Sequence, residues 1–258
     1  MSTRTFVPQT FDATSFASFE PLFQALVERP IASAAELERW LLDCSELGAV
    51  ISEIGAQRYI DMTCHTDDKT IEAAFLNWIE KVHPACKPWF QKLDQKFLHS
   101  PYRTQLAKDR YFVFDRNTAS DADLFREDNI PLQTEEGRLD QQHAKLAGGM
   151  SVYFDGALRT MPQMGRYMEE PDRRLRQFAW ETTTTRRMVH EAEFDDLIDK
   201  QIALRDKIAK NAGLPSFVEY AFRMWKRFDY TPADCFAFHD AVEKTCVPLM
   251  KKIQIGTF

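Results

Sequence analysis

The residues closest to a metal-binding arrangement are His190-Glu191-Ala192-Glu193-Phe194. Zinc is held when two imidazoles stand four residues apart on one helix face, with a glutamate beside the first as base. The second position here is Phe194, which cannot ligate, so His190 reads as a helix-surface residue. His239 and Glu243 form another pair four residues apart, with Asp240 adjacent. Two ligands without a third do not hold zinc, and this spacing predicts a helix-stabilising side-chain pair. Asp195, Asp196 and Asp199 resemble a carboxylate cluster but read as the solvated face of a long helix. The six histidines, His65, His83, His99, His143, His190 and His239, include no HExxH pair, and His83 directly precedes Pro84.

Other chemistries are absent from the spacing as well. The glycines are isolated apart from Gly148-Gly149, which excludes a glycine-rich phosphate loop, and there is no GxSxG elbow. Cys44, Cys64, Cys86, Cys235 and Cys246 lie too far apart for a zinc knuckle. Their odd, scattered set reads as reduced cytoplasmic thiols. On spacing alone no residue is assigned a catalytic or metal-binding role, and the substrate-binding residues are unknown.

The elements that would position any chemistry are helices. The chain has 258 residues, 44% hydrophobic and 28% charged, with only 9 Gly and 12 Pro, a composition that suits long helices rather than disorder. A net charge of -6 gives no electrostatic reason to expect nucleic acid. The basic runs Arg173-Arg174-Leu175-Arg176 and Arg186-Arg187 are each followed by acids and read as solvated faces. No run of 18 apolar residues exists, so no membrane span is expected, and the residues after Met1-Ser-Thr-Arg form no apolar leader.

The first 20 residues lack periodicity and read as an extended lead draped over the body. From Ala35 a helical stripe runs Leu37, Trp40, Leu41, Cys44, Leu47, Ile51, Ile54, until Thr66-Asp67-Asp68 breaks it. A second stripe starts at Ile71, with Pro84 and Pro88 predicting a kink or break between Val82 and Trp89. Ser100-Pro101 predicts a further helix start, Pro131 another, and Gly148-Gly149 its end. The period then switches to two around Asp155-Gly156, which predicts a hairpin from about Met150 to Thr160. After Pro171 the stripe is long enough for one helix reaching Ala212, roughly 63 Å at 1.5 Å per residue. Thr182–Thr185 lowers propensity within it. Gly213 ends it, Pro215 starts a shorter helix through Trp225, and Thr231-Pro232-Ala233-Asp234 caps the last. The expected fold class is mostly α: a multi-helix bundle with one small β-hairpin and a very long helix.

Several stretches resemble the amino-terminal region of oligoendopeptidase F. They are Phe125-Arg-Glu-Asp-Asn-Ile-Pro131, Phe154-Asp-Gly, Thr160-Met-Pro-Gln163 and Pro171-Asp-Arg-Arg-Leu-Arg-Gln-Phe-Ala-Trp-Glu181. Tyr220-Ala-Phe-Arg-Met-Trp-Lys-Arg-Phe-Asp-Tyr-Thr-Pro-Ala-Asp234, with Ala237 to Lys244 and Val247-Pro-Leu249, resembles the entry into that family's catalytic domain. The resemblance is weak before Ala35 and strong from about Tyr111 to Met250. It implies a cytosolic zinc metalloendopeptidase that cuts short peptides in a channel between helical lobes. Its zinc comes from an HExxH helix and a downstream Glu, neither of which this sequence contains. The last residues, Lys252 to Phe258, also depart from the family's charged helical pattern.

The resemblance therefore implies a truncated amino-terminal lobe, inactive and zinc-free alone, in three parts: a helical region (1–110), an oligopeptidase F-type amino-terminal domain (111–185) and the start of a catalytic domain (186–258). The alternative is a free-standing helical interaction module. Expected partners are oligopeptides, a separately encoded carboxy-terminal half, or a second copy through apolar surface at Phe217, Phe222, Trp225, Phe236 and Met250.

Overall fold

The computed structural model describes residues 4–255. The lead does drape over the body: Val7 is buried, and Phe11 packs edge-on against the fully buried Phe19. Glu46 fixes it in place, accepting from the backbone N–H groups of Thr5, Phe6 and Val7 at 3.0, 2.9 and 2.7 Å. Burial would raise this carboxyl's pKa, but the three N–H bonds outweigh it and hold the group below its ordinary range.

Helix α1 (Glu20–Glu28) leads to α2 (Ala34–Cys64), the 31-residue element that the stripe from Ala35 predicts. Ser33 caps α2 by accepting from the Glu36 N–H, and Trp40, buried on its inner face, donates Nε1–H to the Leu26 carbonyl at 2.9 Å. Helix α3 (Lys69–Asn77) begins at Asp68, whose carboxylate accepts from Thr70 and Ile71. It runs through a π turn, Trp78–Val82, into α4 (His83–Leu98). The break expected at the prolines is thus a widened turn: His83 N–H reaches back to the Trp78 carbonyl, and Pro84 follows without interrupting the rod. These helices and the lead enclose the largest apolar core, around Phe19, Phe23, Trp40, Trp78 and Phe97.

Ser100-Pro101 does not start a helix. It forms a turn into a short 3-10 segment (Arg103–Gln105), and α5 (Lys108–Leu124) begins further on. Helix α6 (Asn129–Gly148) carries Pro131 in its first turn and ends at the expected glycines, although Gly149 keeps φ at -76° and so makes no left-handed cap. Strands β1 (Ser151–Phe154) and β2 (Ala157–Thr160) pair antiparallel, with Ser151 opposite Thr160 and Phe154 opposite Ala157. Asp155 and Gly156 both hold positive φ, 50° and 71°, as a two-residue hairpin loop requires. Thr160 then caps α7 (Met161–Met164) in a reciprocal box with Gln163, followed by a 3-10 turn through Met168.

The single helix expected after Pro171 is instead two, α8 (Arg173–Met188) and α9 (Glu191–Asn211). The rod stops at Val189-His190, where His190 takes φ -110° and ψ 16°. The charges explain the position: Arg186 and Arg187 suit the carbonyl end of α8, and Glu191 and Glu193 suit the N–H end of α9. Gly213, at φ 77°, ends α9, and α10 (Phe217–Met224) and α11 (Pro232–Ile255) follow. Smaller apolar clusters lie beneath the hairpin (Val152, Phe154, Met164, Tyr167, Ala179) and where α5, α9 and α10 meet (Leu124, Ile208, Ala209, Tyr220). No helix of the described residues is long and apolar enough to cross a membrane.

Candidate functional site

The seam between α6 and α9 is built largely from polar pairs. Asn129, 1% exposed, donates Nδ2–H to the Ile208 carbonyl at 3.0 Å and accepts from Asn211 Nδ2 at 2.8 Å. Two turns further along, Glu136 pairs with Arg205 at 2.6 Å, then Asp140 accepts from Gln201 at 2.5 Å. His143 finally meets Phe194 edge-on at 5.4 Å between ring centroids. This ladder fixes the register of two antiparallel helices, since each pair fits only its own rung.

At the hairpin end the seam opens into a cleft of about 550 Å³, lined by Lys145, Arg186, His190, Glu193 and Asp196 among others. His190 is therefore not a mid-helix surface residue. It sits at the α8–α9 junction with Nδ1 against the Glu193 carboxylate. Arg186 is held by the Ser151 carbonyl at 3.2 Å, and Lys145 pairs with Glu72 at 2.6 Å. Both signs of charge line the opening, and these groups are already partnered within the fold: Lys145 by Glu72, Glu193 by His190, Asp196 by Lys200 and Arg186 by the Ser151 carbonyl.

The other candidate residues do not converge. Asp196 pairs with Lys200 four residues on, while Asp195 and Asp199 are exposed on α9. His239 lies on exposed α11, its ring 6.3 Å from both Phe236 and Phe238. His83 stacks against Trp78 beside the π turn. Among the described residues no three ligand-type side chains cluster where a metal ion could be held. The zinc that the resemblance implies thus has no fitting donor set among the described residues.

A second polar set joins α4, α6, α9 and α10, residues far apart in sequence and in no motif. Lys87 donates to Gln133 at 2.5 Å, and Gln133 donates to the Tyr220 hydroxyl at 3.3 Å. Burial pushes the Lys87 ammonium down to about 8, against the pull of Glu136. Beside it lies a cavity of about 260 Å³ walled by Ile208, Phe217, Tyr220 and Trp225, with Glu136 and Arg205 as its charged floor. Phe217, expected to be uncovered, is half-buried there against Tyr220, and Phe222 is also half-buried. Trp225, Phe236 and Met250 do lie exposed, at 58%, 65% and 52%.

At the α5–α10 corner Asp121 pairs with Lys226, which holds an unfavourable φ of 59°, and Arg223 pairs with Asp123 at 2.8 Å. Asp94 sits behind this pair. Burial first, and the nearby Asp121 second, push its carboxyl up to about 7, with Lys226 opposing.

A helical lobe of this build, with one hairpin and a polar helix seam, shares its fold with part of three larger solved structures. Pz peptidase A with inhibitor 2 superposes with a TM-score of 0.88 at 24% identity, over 96% of this chain and 44% of that one. A putative oligoendopeptidase F gives 0.88 at 23% identity, over 98% and 45%. A putative oligoendopeptidase F from Bacillus anthracis str. Ames gives 0.87 at 21%, over 95% and 45%. Residues 6–125 match the family described as Peptidase M3 N-terminal domain. That match includes the lead, where the sequence motifs are weakest. No curated protein matches. The chain spans under half the length of these three structures.

Proposed function

We propose that this chain is the amino-terminal lobe of an oligoendopeptidase F-like zinc metalloendopeptidase that hydrolyses short peptides in the cytoplasm. In this reading the lobe supplies a channel wall that orients substrate, while zinc, general base and oxyanion stabilisation come from an HExxH-bearing segment outside these 258 residues. The observation that carries it is the fold agreement over 95–98% of the chain against 44–45% of the larger structures. The family match over residues 6–125 supports it. The division at about 110 and 185 belongs to the same reading; the largest apolar cluster, drawn from residues 6–111, agrees with the first boundary, whereas the cluster of Leu124, Ile208 and Tyr220 crosses the second. Free cysteines at all five positions agree with a reducing compartment.

A second reading, a helical interaction module without catalysis, is favoured by one feature, the exposed apolar surface of α11. Supplying an HExxH-bearing catalytic segment and measuring cleavage of a quenched fluorescent peptide separates the two. Cleavage that depends on the lobe supports the peptidase part. Cleavage unaffected by the lobe supports the module.

A further inference from the structure

We infer that the cavity walled by α6, α9 and α10 binds a small aromatic carboxylate, a single ring carrying one acid group. The inference uses side chains inside this chain's own bundle and does not depend on the peptidase reading.

The cavity belongs to the interior of the described fold. Ile208 and Tyr220 are buried, and Phe217 stacks on Tyr220 with ring centroids 5.6 Å apart. Gln133 and Glu136 of α6 and Arg205 of α9 are half-buried, while Met224 and Trp225 stand exposed at the mouth. The volume, about 260 Å³, falls just below the range of pockets that hold drug-sized ligands. One ring with a short acid arm suits it, and Ile208, Phe217, Tyr220 and Met224 are the walls against which such a ring packs.

The polar groups select the sign of the ligand. Arg205 engages Glu136 through Nε alone, at 2.6 Å, so its two Nη groups keep hydrogens to give. Its guanidinium lies 5.7 Å from the centroid of the Phe217 ring, on the cavity wall. The Tyr220 hydroxyl accepts from Gln133 at 3.3 Å, which leaves its own hydrogen to donate. Burial raises that phenol above its ordinary range and so keeps the hydrogen in place. Behind Gln133, Lys87 is bonded to the amide rather than to an acid. Two cations, Arg205 and Lys87, therefore stand against one carboxylate, Glu136, while Asp121 is taken by Lys226. Unused donors and an excess of positive charge at the polar end of an apolar cavity fit an anion with an apolar body. A carboxylate has two oxygens to set against these donors, whereas an amine would meet donors only and be repelled.

The experiment titrates the full chain at neutral pH with three probes that share one ring: phenylacetate, phenethyl alcohol and phenethylamine. Calorimetry should show phenylacetate binding one to one in the millimolar range. The alcohol should bind about tenfold more weakly, the weight of a charge-assisted hydrogen bond, and the amine should not bind. Tyr220→Phe keeps the ring, removes the donor and should weaken phenylacetate about tenfold. Met224→Trp fills the mouth from an exposed position and should abolish binding with unchanged circular dichroism, which keeps the test open if Tyr220→Phe disturbs the fold. Phenylacetate that gives no saturable heat up to about 10 mM would overturn the inference. Equal binding of acid and amine would overturn the charge assignment, and binding unmoved by either variant would place the ligand elsewhere. Loss of phenylacetate binding on adding an HExxH-bearing catalytic segment would give the cavity to that segment and overturn the inference too. None of the titrations of the chain alone touches the peptidase reading, and a failed peptide-cleavage assay would leave the phenylacetate site standing.

Discussion

Asn211 donates its side-chain amide to Asn129 across the α6–α9 seam at 2.8 Å, and Asn129 in turn donates to the Ile208 carbonyl at 3.0 Å. Asn129 is almost wholly buried, so both halves of its amide depend on these partners. Asn129→Leu keeps the volume but leaves the Ile208 carbonyl and the Asn211 amide without their partner. It should lower stability by about 1–3 kcal/mol. Asn211→Ala should cost less, because only one bond is lost. Urea unfolding of the two variants checks the order, and equal midpoints would show that the seam does not rely on this pair.

Lys96 closes the carboxyl end of α1 by donating to the carbonyls of Leu26, Val27 and Arg29 at 2.9, 2.8 and 2.5 Å. Lys96→Met keeps the stem and removes the charge and all three bonds. A loss of about 1.5–3 kcal/mol is expected, typical of bonds to a charged donor. Thermal melts of wild type and variant measure it. A melt shifted by less than a degree would contradict the capping role.

The Glu46 carboxylate is what holds the amino-terminal lead, through three consecutive backbone N–H groups. Glu46→Ala should release the lead while leaving the helices intact. Hydrogen exchange at Thr5, Phe6 and Val7 should then rise at least tenfold with unchanged circular dichroism, as expected for local rather than global opening. Protected amides in the variant would show that burial of Val7 alone suffices.

Asp94 gives the pH dependence. Its folded pKa is raised from 3.8 to about 7, so the native state binds more protons than the unfolded chain between those values. This group's contribution to stability is therefore fullest below about pH 4 and is lost as pH rises through 7. Asp94→Asn should remove that decline and stabilise the protein at pH 7.5 by roughly 1–3 kcal/mol, the range allowing for partial solvent screening. Unfolding curves at pH 4, 5.5 and 7.5 test it, with the difference between variant and wild type growing from the lowest pH to the highest.

Much of the fold is legible in the residues, and the reasons differ by element. Asp155-Gly156 announces the hairpin because few other pairs tolerate two positive φ values. The break between α8 and α9 is missed by periodicity, since the apolar stripe continues through it. The signal present was electrostatic, Arg186-Arg187 facing Glu191 and Glu193 across Val189-His190. Pro84 and Pro88 predict a kink or break between Val82 and Trp89 because a proline removes an N–H, yet the π turn before Pro84 absorbs the change and α4 runs on through Pro88. The polar set of Lys87, Gln133, Glu136, Arg205 and Tyr220 carries no sequence signal at all. Its members come from four helices, and only the packed bundle brings them together.

The central claim, that this lobe completes a peptidase, is tested most directly by mixing. Purified lobe, an HExxH-bearing catalytic segment of an oligoendopeptidase F, and the two together are assayed with a quenched fluorescent peptide. The lobe alone should not cleave, the segment alone should cleave weakly, and the mixture should cleave at a rate that rises with lobe concentration and falls to background on adding a chelator. A mixture no faster than the segment alone, or chelator-sensitive cleavage by the lobe alone, would contradict the claim.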